Sequence, residues 1–128
     1  MELRLLLVED HVAFRGALKF VLDLQPGMRV VAECGSLAEC RALGDRLKAI
    51  DVGLLDLMLP DGDGAELIPV LREANPSVRV LVLSASVEPG LRQRAAEAGA
   101  DGLLNKAEAL TEIVAEVARL GGAGKDRG

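Results

Sequence analysis

Leu54-Leu55-Asp56-Leu57-Met58-Leu59-Pro60-Asp61-Gly62-Asp63-Gly64 is the stretch around which the chain is organised. Five of its first six residues are apolar and the remaining one is an aspartate. A carboxylate inside a buried strand is costly to desolvate, so the strand that begins near Val52 should end at Asp56. Pro60 and the glycines at 62 and 64 then break the strand and turn the chain. One acidic side chain is thereby displayed at the rim of a sheet.

Outward from this strand the pattern repeats. Residues 3–8 form a short apolar run, consistent with a buried strand, and Phe14, Ala17, Leu18, Val21 and Leu22 follow at one-face helical spacing. Gln25-Pro26-Gly27 ends that helix. Residues 28–32 alternate and contain two valines, which reads as a strand near a sheet edge. Ser36 and Glu39 have capping-box spacing ahead of a second helix reaching about Ala49. On the far side of the opening stretch, residues 64–74 predict a third helix with Leu67, Ile68 and Leu71 inward. Pro69 falls near its first turns, where the penalty is smallest.

Residues 78–83 are the most strand-like run in the chain. Glu88-Pro89-Gly90 opens a fourth helix with proline at the favoured first position. Leu91 is the only large apolar residue of that helix, so it should be the least firmly held. Residues 102–105 give a brief fifth strand, and residues 110–120 a last helix with Leu110, Ile113, Val114 and Val117 on one face. One domain is expected over residues 1–120, with the glycine-rich 121–128 a disordered tail or truncated linker.

Strand and helix alternate five times, which implies a parallel sheet covered on both faces by right-handed crossovers. Half of the 128 residues are hydrophobic but only 2% are aromatic, so the core is aliphatic, as suits helices on a buried parallel sheet. A net charge of -5 makes this stretch a poor binder of nucleic acid by itself. Cys34 and Cys40 lack CxxC spacing and a nearby histidine, which favours reduced structural thiols over zinc ligands. The apolar N-terminal run meets Glu9 too soon for a signal peptide or a membrane span, which favours the cytosol.

In such folds the ligand site lies outside the C-terminal ends of the strands. Glu9-Asp10 follow the first strand, Asp56 ends the third, Ser84 follows the fourth and Lys106 the fifth. Each has a plain reading of its own. Glu9-Asp10 suit a helix N-terminus, Ser84 a strand end, Lys106 a solvated surface. Asp61 and Asp63 read as turn residues, and His11 as a solvent-facing neighbour. Joint placement on one edge argues for more. Three close carboxylates repel unless a cation sits among them, and oxygen-only ligands point to Mg²⁺. A metal beside a nucleophilic Asp56, a hydroxyl and a lysine describes phosphoryl transfer through an acyl phosphate.

Leu7-Val8-Glu9-Asp10, Asp56 with Pro60 and Gly64, Ser84-Ala85 and Gly102-Leu-Leu-Asn-Lys106 together resemble the receiver domain of bacterial two-component response regulators, over roughly residues 1–120. The implied fold is a doubly wound five-stranded parallel sheet, (βα)5 and flavodoxin-like, with strand order 2-1-3-4-5. The resemblance implies that Asp56 accepts a phosphoryl group from a sensor histidine kinase. It further implies that Glu9, Asp10, Asp56 and the Met58 backbone carbonyl hold Mg²⁺, while Ser84 and Lys106 engage the phosphoryl group. Met58 and Ser86 fall where such proteins tune phosphate lifetime. The Asp-His pair at 10–11 and residues 27–32 are similar to the subfamily with a C-terminal helix-turn-helix output domain, through which alone DNA would be bound.

Two positions depart from the family pattern: Leu103 replaces an aromatic switch residue, and Ala107 a proline. Such a domain is a phosphoacceptor rather than an enzyme. An aspartate-nucleophile phosphatase is disfavoured because position 58 is Met, and a dinucleotide enzyme because no glycine-rich turn follows the first strand. The alternative is an interaction module that signals without phosphorylation. Phe20, off the inward stripe, is expected to be partly buried by a neighbouring helix, or else to anchor a homodimer formed on phosphorylation.

Overall fold

The computed structural model describes residues 2–85 and 88–125. Five parallel strands form one sheet: β1 (Leu3–Val8), β2 (Met28–Cys34), β3 (Val52–Asp56), β4 (Arg79–Ser84) and β5 (Gly102–Asn105). Their spatial order is β2-β1-β3-β4-β5, with β2 on an edge. All five residues of β3 are buried, as its uninterrupted apolar run requires. The helices are α1 (Val12–Asp23), α2 (Leu37–Arg41), α3 (Leu67–Ala74), α4 (Pro89–Glu97) and α5 (Leu110–Lys125).

Side chains alternate along each strand, so the sheet divides the core in two. Leu5, Leu7, Val52, Leu54 and Leu81 pack with Leu18 and Leu22 of α1 and with Ile113, Val117 and Leu120 of α5. On the opposite face Leu6, Val8, Leu55, Val80 and Val82 pack with Leu37 of α2, Leu67, Ile68 and Leu71 of α3, and Ala95 of α4. Ala95 is the one buried residue of α4. Its weak anchoring follows from a composition of Arg, Gln, Glu and Ala.

Several details differ from the sequence-based expectation. The second helix is short and gives way to a 3-10 helix over Gly44–Ala49. Gly44 takes φ +52, a left-handed conformation that a continuing helix cannot contain and that glycine adopts most readily. Ser36 Oγ does accept from the Glu39 amide at 3.1 Å, but the Glu39 carboxylate reaches the Gly35 amide instead of closing on Ser36. The third helix begins as a 3-10 turn, Gly64–Glu66. Ala17 is exposed, because Leu18 and Leu22 set the inward direction of α1. Phe20 is 66% exposed, so partial burial against a neighbour is not what the fold provides.

At the C-terminus α5 continues past Leu120 to Lys125. Gly121 is buried against β1, where a Cβ would overlap the Leu3 side chain, so a residue that looked like linker is part of the packing. Residues 126–128 of the expected tail, and Ser86, lie outside the described residues.

Leu71 is fully buried under α3. Leu71→Ala should lower unfolding free energy by about 2–5 kcal/mol in urea titration, whereas Ala17→Ser on the exposed side of α1 should change it by less than about 0.5 kcal/mol.

Candidate functional site

Strand register assembles the rim. Val8 of β1 stands beside Leu55 of β3, so the next residues, Glu9 and Asp56, fall side by side. Asp56 is level with Leu83 of β4, and Ser84 is level with Asn105 of β5. The Lys106 amide donates to the Ser84 carbonyl at 2.8 Å, which fixes the step out of β5. Glu9, Asp56 and Ser84 are buried, Lys106 is half-buried and Asp10 is exposed.

The Lys106 ammonium bridges two carboxylates, at 2.5 Å from Glu9 Oε1 and 3.1 Å from Asp56 Oδ2. The other oxygens are held by main chain: the His11 amide donates to Glu9 Oε2 at 2.9 Å, and the Met58 amide to Asp56 Oδ1 at 3.0 Å. Arg15 Nη1 donates to the Glu9 carbonyl at 2.8 Å, steadying the loop from α1. Glu9 thus serves the start of α1 and the rim at once, and the two readings of that residue merge. His11 is exposed, as expected.

Burial pushes the Glu9 carboxyl above its ordinary range and the nearby Asp56 charge adds to this, although Lys106 and the His11 amide pull the other way. For Lys106 burial opposes the charge, but hydrogen bonds to Glu9 and Asp56 outweigh it and hold the ammonium above its usual value. Carboxylate oxygens of Glu9, Asp10 and Asp56 lie within 4.8 Å of one another, a spacing that a single hard cation could bridge. Glu9 Oε1 is buried with the Lys106 ammonium as its close partner.

The turn after Asp56 is more than a break. Met58–Leu59 and Gly62–Asp63 pair as a small antiparallel ribbon. Asp61 accepts from the Leu37 and Ala38 amides at 2.8 and 3.0 Å, tying the turn to the start of α2, and these bonds depress its carboxyl. Asp63 accepts from the Ala65 amide at 2.9 Å and pairs with Arg94 of α4 at 2.8 Å. Both were expected to be simple turn residues. Their spacing could not show partners 24 and 31 positions away. Gly64 lies so close beneath Asp56 that a Cβ would overlap its carbonyl. Met58 points outward and is 79% exposed.

Two hollows lie beside α3 and α4. One of about 160 Å³ lies between α4 and β5, lined by Ala95, Ala96, Ala100 and Leu103. A larger one of about 510 Å³ sits between the 3-10 helix and α3, away from the carboxylates.

Residues 5–118 match the response regulator receiver domain. The chain belongs to the response regulator receiver family. The chain is 34% identical over 121 residues to the nitrate/nitrite response regulator protein NarP of Escherichia coli, covering 94% of this chain and 55% of that protein. The receiver thus spans about half the length of the relatives it matches. A LuxR-family two-component response regulator from Aurantimonas superposes with a TM-score of 0.83 at 30% identity, covering 95% of this chain and 87% of that one. A CheY-like receiver from Methanospirillum hungatei, 20% identical, shares the fold with a TM-score of 0.87 over the whole of both chains. The sheet order is the flavodoxin-like one of the receiver fold. No described helix is long and apolar enough to cross a membrane.

Because its folded value is raised, the Lys106 charge contributes stability that is fully present below about 10.5, the ordinary lysine value, and is lost as pH climbs through the raised one. Urea midpoints of the wild type should therefore fall over that alkaline interval. Lys106→Met should remove this part of the fall.

Proposed function

We propose that this receiver is a phosphoacceptor in which Asp56 takes a phosphoryl group from the phosphohistidine of a sensor kinase. The observation that carries this reading is the Lys106 ammonium drawn between the Glu9 and Asp56 carboxylates, with Asp10 beside them. A buried carboxylate that already faces a cation is prepared for the negative charge that phosphoryl transfer brings. Glu9, Asp10, Asp56 and the Met58 carbonyl are the candidate Mg²⁺ ligands; when bound, Mg²⁺ would offset charge on the transferring oxygens.

The chain's own groups supply the rest. The Met58 amide orients Asp56 through Oδ1, leaving a carboxylate lone pair to attack phosphorus. As the new O–P bond forms, the P–N bond to the donor imidazole breaks and its electron pair leaves with the ring. Lys106 then pairs with a phosphoryl oxygen and the Ser84 hydroxyl bonds another. The product adds about 1.5 to 2 negative charges at the rim.

Movement of Ser84 toward those oxygens frees space beneath α4, which is held by little apolar burial. The face made by α4, β5 and α5 changes shape and is read by partners. Leu103, half-buried beside the small hollow, takes the place of an aromatic switch residue, so this response runs through α4 itself. By likeness to transcriptional regulators such as DevR/DosR, a DNA-binding activator, the output is control of transcription through a helix-turn-helix domain outside this chain. The protein acts in the cytoplasm and is not a multiple-turnover enzyme. The Phe20 side of α1 is the candidate contact for a phosphorylation-dependent homodimer. A receiver that signals without phosphorylation is the competing reading, and Leu103 is the feature that favours it.

Incubation with a small phosphodonor and Mg²⁺ should raise the mass by one phosphoryl group, and Asp56→Asn should not gain it. An unchanged wild-type mass would favour the interaction module, and a gain surviving in Asp56→Asn would refute the site. Since burial raises Glu9, its proton competes with the cation, so Mg²⁺ affinity should be full above that raised value and weaken as pH falls through it. Hydrogen exchange over residues 90–98 should change with a phosphoryl mimic; identical protection would sink the α4 response. Phe20→Glu should abolish any phosphorylation-dependent association, and unaltered sedimentation would exclude that anchor.

A further inference from the structure

The chain has two phenylalanines and no tyrosine or tryptophan, yet one phenylalanine lies against the rim. Phe14 is half-buried in the first turn of α1, packed on the aliphatic core beneath that helix. Its ring centroid is 4.9 Å from the Lys106 ammonium, within cation–π range. The lysine side chain is 18% exposed, so water screens this contact only partly.

Three groups therefore locate the ammonium: Glu9, Asp56 and the Phe14 ring. Two of them are also candidate cation ligands. An oxygen lone pair given to a divalent cation is withdrawn from the lysine, and the Asp56 oxygen that attacks phosphorus is likewise no longer its partner. Both ion pairs are thus rearranged when the site is loaded. The ring is not, because no step of the chemistry draws on it.

We propose that Phe14 is the positioning residue for Lys106, holding the ammonium at the rim by a cation–π contact while its carboxylate partners turn to cation and phosphoryl group. This rests on the phosphoacceptor reading for its consequence, but not for its geometry. Phe14 touches neither donor nor phosphoryl group; it acts through the lysine. A cation–π contact of this kind corresponds to roughly a two- to thirty-fold effect on the population of the correctly placed lysine.

The test separates the ring from its bulk. Phe14→Leu keeps an apolar side chain in the α1 core and removes the π face, whereas Phe14→Tyr keeps both. Urea unfolding checks that each variant folds as the wild type does. In protein labelled with ¹³C-lysine, and without Mg²⁺ or phosphodonor, the Lys106 ε-methylene should show an upfield ring-current shift. That shift should vanish in Phe14→Leu and persist in Phe14→Tyr. With a small phosphodonor, Phe14→Leu should acquire the phosphoryl group roughly two- to thirty-fold more slowly, with Mg²⁺ affinity unaltered, and Phe14→Tyr should restore the rate.

Absence of the ring-current shift in the wild type would overturn the contact. A Phe14→Leu rate equal to wild type, or a slowing that Phe14→Tyr fails to reverse, would overturn its positioning role. A wild type with the shift but no phosphoryl uptake would instead overturn the phosphoacceptor reading, and with it the positioning role in transfer.

Discussion

The rest of the rim depends on one ammonium shared by two buried carboxylates. Glu9 arrives from β1 and Asp56 from β3, while Lys106 arrives from β5, on the other side of β4. Their meeting ties the middle of the sheet to its edge at the end where the strands stop. Burial pushes Glu9 toward its neutral form, and the Lys106 ammonium pulls it back toward the charged one. The lysine offsets like-charge repulsion between the two carboxylates, and with Asp10 they lie at a spacing that a single cation could bridge. The same two carboxylates thus serve the ion pairs and form part of the candidate cation site.

Legibility in the sequence followed the range of the interaction. The β3 boundaries were readable to the residue, because an apolar run between turn formers constrains both ends. The rim was readable too, since parallel strands place their following residues on one edge whatever lies between. Asp61 was not: its bonds to the Leu37 and Ala38 amides arise only when the turn folds back on α2. Asp63 escaped for the same reason, its partner Arg94 lying on another helix. Phe20 misled because a large aromatic suggests burial, and α1 is already filled by Leu18 and Leu22. The length of α5 was hidden by glycines whose composition resembles linker, although one of them is required by contact with Leu3.

Around Asp56 the fold distributes firmness unevenly. The turn after β3 is clasped on one side by α2 through Asp61, and Gly64 lets it close beneath Asp56. On the other side the link is an ion pair between partly exposed groups, Asp63 and Arg94, and the helix at its far end buries a single alanine. Surface pairs of that kind contribute little. A change at the rim therefore meets resistance toward α2 and compliance toward α4.

The packing of Gly121 on Leu3 bears on geography as well as on stability. α5 leaves the rim after Lys106, meets the start of β1 at Gly121 and runs 16 residues in all, about 24 Å at helical rise. Whatever is joined at that end stands at the opposite pole of the domain from Asp56. On the phosphoacceptor proposal, a charge gained at Asp56 would reach that end as a change of shape carried across the body of the domain.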